Sequence, residues 1–189
     1  TIAENAPIIP VSAQQEINID KIKEFLLDIK IQPRDTDSKP EFLIARSFDI
    51  NRPGTDVKDL HGGVLGGILK KGELKVGDEI EIKPGIAETQ AHQLSYHTIK
   101  TKIVSIFRGS NPINKATPGG SLAIETELDN ILTKSDSLSG CIASRVGNLP
   151  EITTMLKLKY DLFSSLVGEE KEVKIEGLKL SEMIMLSVN

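Results

Sequence analysis

The spacing of hydrophobic positions changes more than once along this chain of 189 residues. Ile22, Phe25, Leu26 and Ile29 fall at i, i+3, i+4 and i+7, an apolar stripe that predicts an amphipathic helix. Asn18 or Asp20 is available as its cap and Pro33 as its stop. The apolar run from Ile8 to Val11 predicts a strand before it, so residues 1–32 read as strand, loop and helix, a unit of an α/β layer. Residues 33–40, PRDTDSKP, hold prolines and charges with no apolar side chain and read as a linker. From Glu41 the period shortens to two. EFLIARSFDI, HTIKTKIVSIF, SLAIETEL and GCIASRV predict short strands, separated by Gly, Pro and Asn, and thus an antiparallel barrel or sandwich over 41–146. Beyond VGNLPE, residues 147–189 again predict strands. Leu156, Leu158, Tyr160 and Leu162 alternate there with Lys157, Lys159 and Asp161, and LSEMIMLSVN follows a charged GEEKEVKIEG hairpin or loop. Both ends lie near strand-like runs, so a piece of a longer chain is expected.

The stretch from His61 to Gly85 alternates like a strand yet contains seven glycines. Gly67 and Gly72 have the spacing of a phosphate-binding loop, but Glu73 and Leu74 follow where that motif needs Lys and Ser or Thr. A carboxylate there repels phosphate, and no amphipathic helix opens after it to hold an anion at its N-terminus. Glycine inside a strand otherwise marks a bulge, a barrel corner or another backbone close by. Sharp curvature is therefore the expectation, with turns at Gly72 and Gly77.

Composition narrows the function. Hydrophobic content of 39% and charged content of 26% are those of a globular protein, and a net charge of −4 gives no global attraction to nucleic acid or anionic lipid. A nucleic-acid role must therefore rest on a local site. No apolar run is long enough to span a bilayer, so no membrane partner is expected. Cys141 is the single cysteine, which leaves no internal disulfide, and its apolar GCIAS setting reads as a structural thiol. His61, His92 and His97 lack Cys, Asp or Glu at ligand spacing, so no metal site is expected. No catalytic constellation appears, and no Gly-x-Ser-x-Gly elbow. The polar loop between the first two barrel strands, Asn51 to Leu60, is too long for a tight hairpin and is the best candidate for a partner surface.

The motifs APIIPVSAQ, RSFDINRPGT, GGVLGGILKKGELKVGDEIEIKPG, TPGG, LTKSDSLSG and GNLPEI, in that order over nearly the whole chain, resemble the gamma subunit of archaeal and eukaryotic translation initiation factor 2. LKVGDEIEI alone indicates only the wider class of translational GTPases. RSFDINRPGT followed by GGVLGG is far more specific. The resemblance implies a mainly β fold, with the end of a GTP-binding domain over 1–32, a second-domain barrel over 41–146 and the start of a third-domain barrel over 147–189. ETELDN departs from the pattern, with Glu125 at a usual Gly and Asn130 at a usual Pro, and this puts one turn in question.

The resemblance further implies that Ser12, Ala13 and Gln14 form the last guanine-contacting element, with the Ala13 N–H aimed at the base. It implies that Asn51, Arg52, Pro53, Gly54, Thr55, Asp56, Val57, Lys58, Asp59 and Leu60 dock the alpha subunit, and that Arg46, Arg52 or Arg108 contributes to binding initiator methionyl-tRNA. Other implied partners are the beta subunit and the small ribosomal subunit, in the cytoplasm, with GTP or GDP and magnesium as cofactors of the intact protein. This chain holds neither the phosphate-binding Lys and Ser/Thr nor the magnesium-binding Asp, so it is expected to bind no cofactor and hydrolyse no GTP by itself. A related elongation factor, such as the one specialised for selenocysteine, is the alternative.

Overall fold

The computed structural model describes residues 6–31, 33–90, 93–153, 155–163 and 175–185, with Gln90, Gln93 and Leu94 described by backbone alone. The chain divides into two units, Thr1–Ile152 and Thr153–Asn189. The first holds a helix, α1 (Ile19–Asp28), and nine strands. These are β1 (Glu41–Phe48), β2 (Val64–Lys71), β3 (Leu74–Lys75), β4 (Glu79–Gln90), β5 (Gln93–Arg108), β6 (Asn111–Pro112), β7 (Lys115–Ala116), β8 (Ser121–Thr126) and β9 (Ile142–Arg145).

Six strands pair in the order β4, β9, β1, β2, β8, β5, and β5 pairs back with β4, so the sheet closes into an antiparallel barrel. Inward positions carry Phe42, Ile44, Leu65, Leu69, Ile80, Ile82, Ile103, Ile106, Leu122 and Ile124, all buried. Ile68 and Val76, apolar in the glycine-rich stretch, point outward and are exposed.

Closure at this radius requires backbones to approach where side chains would otherwise stand. Gly67 pairs with Ile44, and a Cβ added to Gly67 would lie 2.0 Å from the Leu43 carbonyl oxygen. The register between β1 and β2 shifts between Ile44 and Arg46, immediately beside this approach. At Gly72 the backbone takes φ +74° and donates to the Asp35 carbonyl at 2.8 Å. The segment expected as a linker is thus seated on the barrel, and Asp35 Oδ1 also accepts from the Asp37 and Ser38 N–H groups at 3.2 and 3.0 Å. Close approach or turning explains every glycine of the stretch except Gly66, as the pattern predicts.

The LTKSDSLSG segment seals one end of the barrel against the β1 irregularity. Gly140 N–H donates to the Ile44 carbonyl, Ser139 Oγ to the Ala45 carbonyl, and Leu138 N–H to the buried Ser47 Oγ. The Ile44 and Ala45 carbonyls and the Ser47 hydroxyl thus find partners in the segment, as burial demands. Within the segment, Thr133 and Leu138 are fully buried. The departure at Asn130 leaves its turn intact: Asp129 caps it through Ile131 N–H at 2.9 Å, and the Asn130 carbonyl accepts from Thr133 N–H. Glu125 lies in β8 and not in a turn.

GNLPE is tied to β4. The buried Glu81 accepts from Leu149 N–H at 2.9 Å, and Lys83 Nζ donates to the Pro150 carbonyl at 3.0 Å. Burial pushes the Glu81 carboxyl up, but the N–H groups of Leu149, Gly147 and Asn148, with Lys83 nearby, outweigh it and hold the group below the ordinary glutamate range.

Two strand expectations do not hold. Ile8–Val11 form no strand, and the only pairing among the described residues there is the isolated bridge from Ser12 to Ile17 within one turn. In the second unit the described residues contain no strand. Leu156, Leu158, Tyr160 and Leu162 are exposed, and alternation without a partner strand to cover the apolar face does not hold a strand in water. Most of GEEKEVKIEG and the end of LSEMIMLSVN lie outside the described residues.

Gly67→Ala is expected to lower barrel stability by about 2 kcal/mol, the cost of overpacking against immovable backbone. Gly66→Ala, whose nearest contacts would be an ordinary 3.5 Å, should be near neutral. Urea unfolding followed by circular dichroism reads both, and equal midpoints for the two variants would contradict the close-approach account. A carboxyl depressed on folding stabilises fully above its unfolded value, and that stability is lost as pH falls through the unfolded value toward the folded one. The wild-type midpoint should therefore drop more steeply than that of Glu81→Gln between about pH 5 and pH 3, and the variant should be the less stable at neutral pH. Parallel pH profiles would contradict the Glu81 clasp.

Candidate functional site

The loop between β1 and β2 closes on itself through Asn51. Its side-chain amide donates to the His61 carbonyl at 2.8 Å while its Oδ1 accepts from His61 N–H at 2.8 Å, a two-way clasp across ten residues. The same amide and the Asn51 N–H donate to Asp49 Oδ1 at 2.7 and 2.9 Å. The Asn51 N–H, then its side-chain amide, together with Lys134, hold the Asp49 carboxyl below its ordinary value. Within the loop, Thr55 N–H and Oγ1 both donate to the Arg52 carbonyl, which allows Gly54 its φ of +89°, and a single 3-10 turn follows at Val57–Asp59. Val57 is 83% exposed at the apex, beside Asp56, Lys58 and Asp59, and Leu60 is also exposed. A closed, internally bonded loop presenting bare aliphatic side chains amid charges suits partner docking, because little ordering cost remains.

Of the three arginines of the expected tRNA surface, Arg52 lies in the loop just described, and Arg46 and Arg108 already have partners and are not brought together. Arg46, on β1, donates from Nε to Asp136 Oδ1 at 2.8 Å, and that oxygen also accepts from Ser47 N–H at 3.0 Å. Arg46 and then the Ser47 N–H keep Asp136 below its ordinary value. Arg108, at the end of β5, donates from Nη2 to the Thr117 carbonyl at 2.7 Å, and its buried Nε has no hydrogen-bond partner among the described residues. β2 and β8 stand between the two strands on the barrel wall.

What lies between them is a surface that periodicity does not announce. Arg46 pairs with Gly66, Gly66 with Ala123, Ala123 with Phe107 and Phe107 with Pro112, one row across the outer wall. Phe107 is 36% exposed, and Phe48, 37% exposed, brings its ring within 3.5 Å of where a Gly66 Cβ would stand. Two partly exposed phenyl rings flank a strip of glycine and alanine, a shape that accepts a flat apolar or aromatic group. The available sequence signal is Phe at outward strand positions in a chain with only five phenylalanines.

Ser12, Ala13 and Gln14 lie in a tight turn. Ser12 and Ile17 exchange backbone hydrogen bonds at 3.2 and 3.0 Å, and the Ala13 carbonyl accepts from Glu16 N–H at 3.4 Å. Asn18 Nδ2 donates to the Pro10 carbonyl at 2.8 Å, which joins the turn to the start of α1. Ala13 and Gln14 are exposed. Ile22, Phe25 and Leu26 of the expected stripe lie on α1, with Phe25 and Leu26 exposed, and Ile29 follows its end in extended backbone.

Two histidines find carboxylates that spacing could not reveal: His61 Nδ1 lies 2.7 Å from Glu125 Oε1, and His97 Nε2 lies 2.9 Å from Glu88 Oε2. His92 lies outside the described residues. Among the described residues no group of three or more His, Cys, Asp or Glu could hold a metal ion, and no helix is long and apolar enough to cross a membrane. Cys141 is buried, with its thiol pushed up by burial.

No protein-family model matches the chain. The elongation factor SelB of Methanococcus maripaludis, solved in its apo form and with the GTP analogue GppNHp, shares the fold. The apo form aligns with a TM-score of 0.56 and 24% identity over 75% of this chain and 26% of that one. Translation initiation factor 2 subunit gamma of Methanocaldococcus jannaschii is 48% identical over all 189 residues, which cover 46% of its own length. The subunit from Archaeoglobus fulgidus is 44% identical over the whole chain and 44% of its length, and that from Pyrococcus abyssi 43% identical over 46% of its length. The chain therefore belongs to the translation initiation factor 2 subunit gamma family and spans about half the length of the curated relatives it matches.

Proposed function

We propose that this chain is the adaptor part of a heterotrimeric initiation factor: its barrel docks the alpha subunit through Asn51–Leu60 and receives the end of initiator methionyl-tRNA on its outer wall. The observation that supports docking best is the Asn51 clasp, which holds Val57 outward in a loop already closed before any partner arrives. Asp56, Lys58 and Asp59 would surround the contact as rim charges, governing association rate more than affinity.

For tRNA, the Phe48 and Phe107 rings with the bare strip between them supply the stacking wall that a terminal nucleobase needs. Arg46, whose side chain stays largely exposed while it pairs with Asp136, is the better placed of the two arginines to reach a phosphate, and Arg108 is already committed to Thr117. Ser12–Gln14 would complete a guanine site whose phosphate and magnesium groups this chain does not contain. GTP or GDP binding, the beta subunit and delivery to the small ribosomal subunit in the cytoplasm belong to a subunit of the relatives' full length. The selenocysteine-factor alternative has less support, since its likeness is confined to the fold at 24% identity, against 48% over the whole chain.

Deleting Pro53 to Lys58 should weaken capture of the family's alpha subunit at least tenfold with little change in the barrel's thermal midpoint, because shortening a closed loop changes chain entropy only slightly. Undiminished capture would contradict the docking role. In a subunit of full length, Phe107→Ala or Phe48→Ala should reduce affinity for initiator methionyl-tRNA several-fold, from about 1 kcal/mol or more of stacking per base. Filter binding reads this, and unchanged affinity in both variants would place the tRNA end elsewhere.

A further inference from the structure

The docking loop leaves the barrel wall at His61, which has two attachments. Its backbone is held in both directions by the Asn51 side chain, inside the loop. Its ring reaches out of the loop: Nδ1 lies 2.7 Å from Glu125 Oε1, and the other oxygen of that carboxylate accepts from Ser105 Oγ at 2.6 Å. Glu125, near the end of β8, stands directly across from Val64 on one side and Ser105 on the other. Its side chain is only 14% exposed, while the His61 ring is 57% exposed. A nearly buried carboxylate locked by Ser105 is a fixed point, and the exposed imidazole is the element it restrains.

We propose that Ser105, Glu125 and His61 form a strut that sets the angle at which Asn51–Leu60 stands on the barrel, with Glu125 as a positioning residue for the docking of the alpha subunit. The inference rests on the docking role proposed above for that loop. The Asn51 clasp makes the loop one closed piece, and a closed piece hinged at its base still needs a side contact to hold one orientation. Among the hydrogen bonds made by the loop and its base, those of Asn51, Thr55 and Asp59 stay within residues 49–61, whereas the His61 ring reaches the wall. Lys134 Nζ, 3.8 Å from Asp49 Oδ2, is the looser second tie.

The experiment measures alpha-subunit affinity and loop amide hydrogen exchange for Glu125→Gln, His61→Gln and the double variant, beside the Pro53–Lys58 deletion. Each single variant should weaken docking about threefold, within what one partly exposed hydrogen bond supplies. The double variant should be no weaker than either single one, because both remove the same interaction. Exchange should quicken at Thr55, Asp59 and His61 and stay unchanged in β2 and β8, a pattern that general destabilisation does not produce. If Glu125→Gln lowers the thermal midpoint, His61→Gln, altered only at an exposed ring, decides alone. Unchanged affinity and exchange in His61→Gln, with docking still lost in the deletion, overturns the strut and leaves the docking role standing. If the deletion itself leaves docking intact, the docking role falls, and the assignment of Glu125 as a positioning residue falls with it.

Discussion

The contact between the β2 backbone at Gly67 and the Leu43 carbonyl sets the shape of everything around it. A Cβ on residue 67 would lie 2.0 Å from that oxygen, so the two strands meet there only because a side chain is missing. The approach lets the wall bend tightly enough for β5 to pair with β4 and close the ring. Closure removes the exposed sheet edges that would otherwise invite pairing with other chains. It also gathers the inward Ile, Leu and Phe side chains into one core.

The same bend creates a cost that the chain answers locally. Beside the register shift of β1 and β2, the Ile44 and Ala45 carbonyls are met by the Gly140 N–H and Ser139 Oγ of LTKSDSLSG. Ser135 and Asp136 adopt left-handed φ of 56° and 58° in doing so, a strain of about 1 kcal/mol or more each that the buried Leu138 and the Asp136 hydrogen bonds offset. Arg46 is drawn into that arrangement through Asp136. A positive side chain on a strand is therefore part of the cover of this barrel before it is a ligand for anything else.

The surfaces left over are built by contrast. Where the loop between β1 and β2 leaves the barrel it is bonded within itself and tied through His61 to Glu125, so its exposed apex is presented with little entropy left to lose. Across the wall, small residues opposite one another leave a bare strip between Phe48 and Phe107. Both are ways of offering apolar surface without a large continuous patch.

Much of this was legible in the chain itself. Period-two runs with turn residues between them specify short strands, and glycine followed by Glu73 excludes a phosphate loop, because strand alternation and charge repulsion are local properties. The α1 stripe and the length of Asn51–Leu60 are local in the same sense. Alternation at Leu156–Leu162 was equally plain and yet forms no strand among the described residues, since a strand needs a neighbour and the pattern alone supplies none. Pairings between distant residues were beyond the sequence: His61 with Glu125, Arg46 with Asp136, Glu81 with Leu149, and the row from Gly66 through Ala123 to Phe107. Those depend on strand register, which is fixed only when the whole ring closes, and so only the tertiary structure could decide which polar groups are spent on the fold and which remain for a partner.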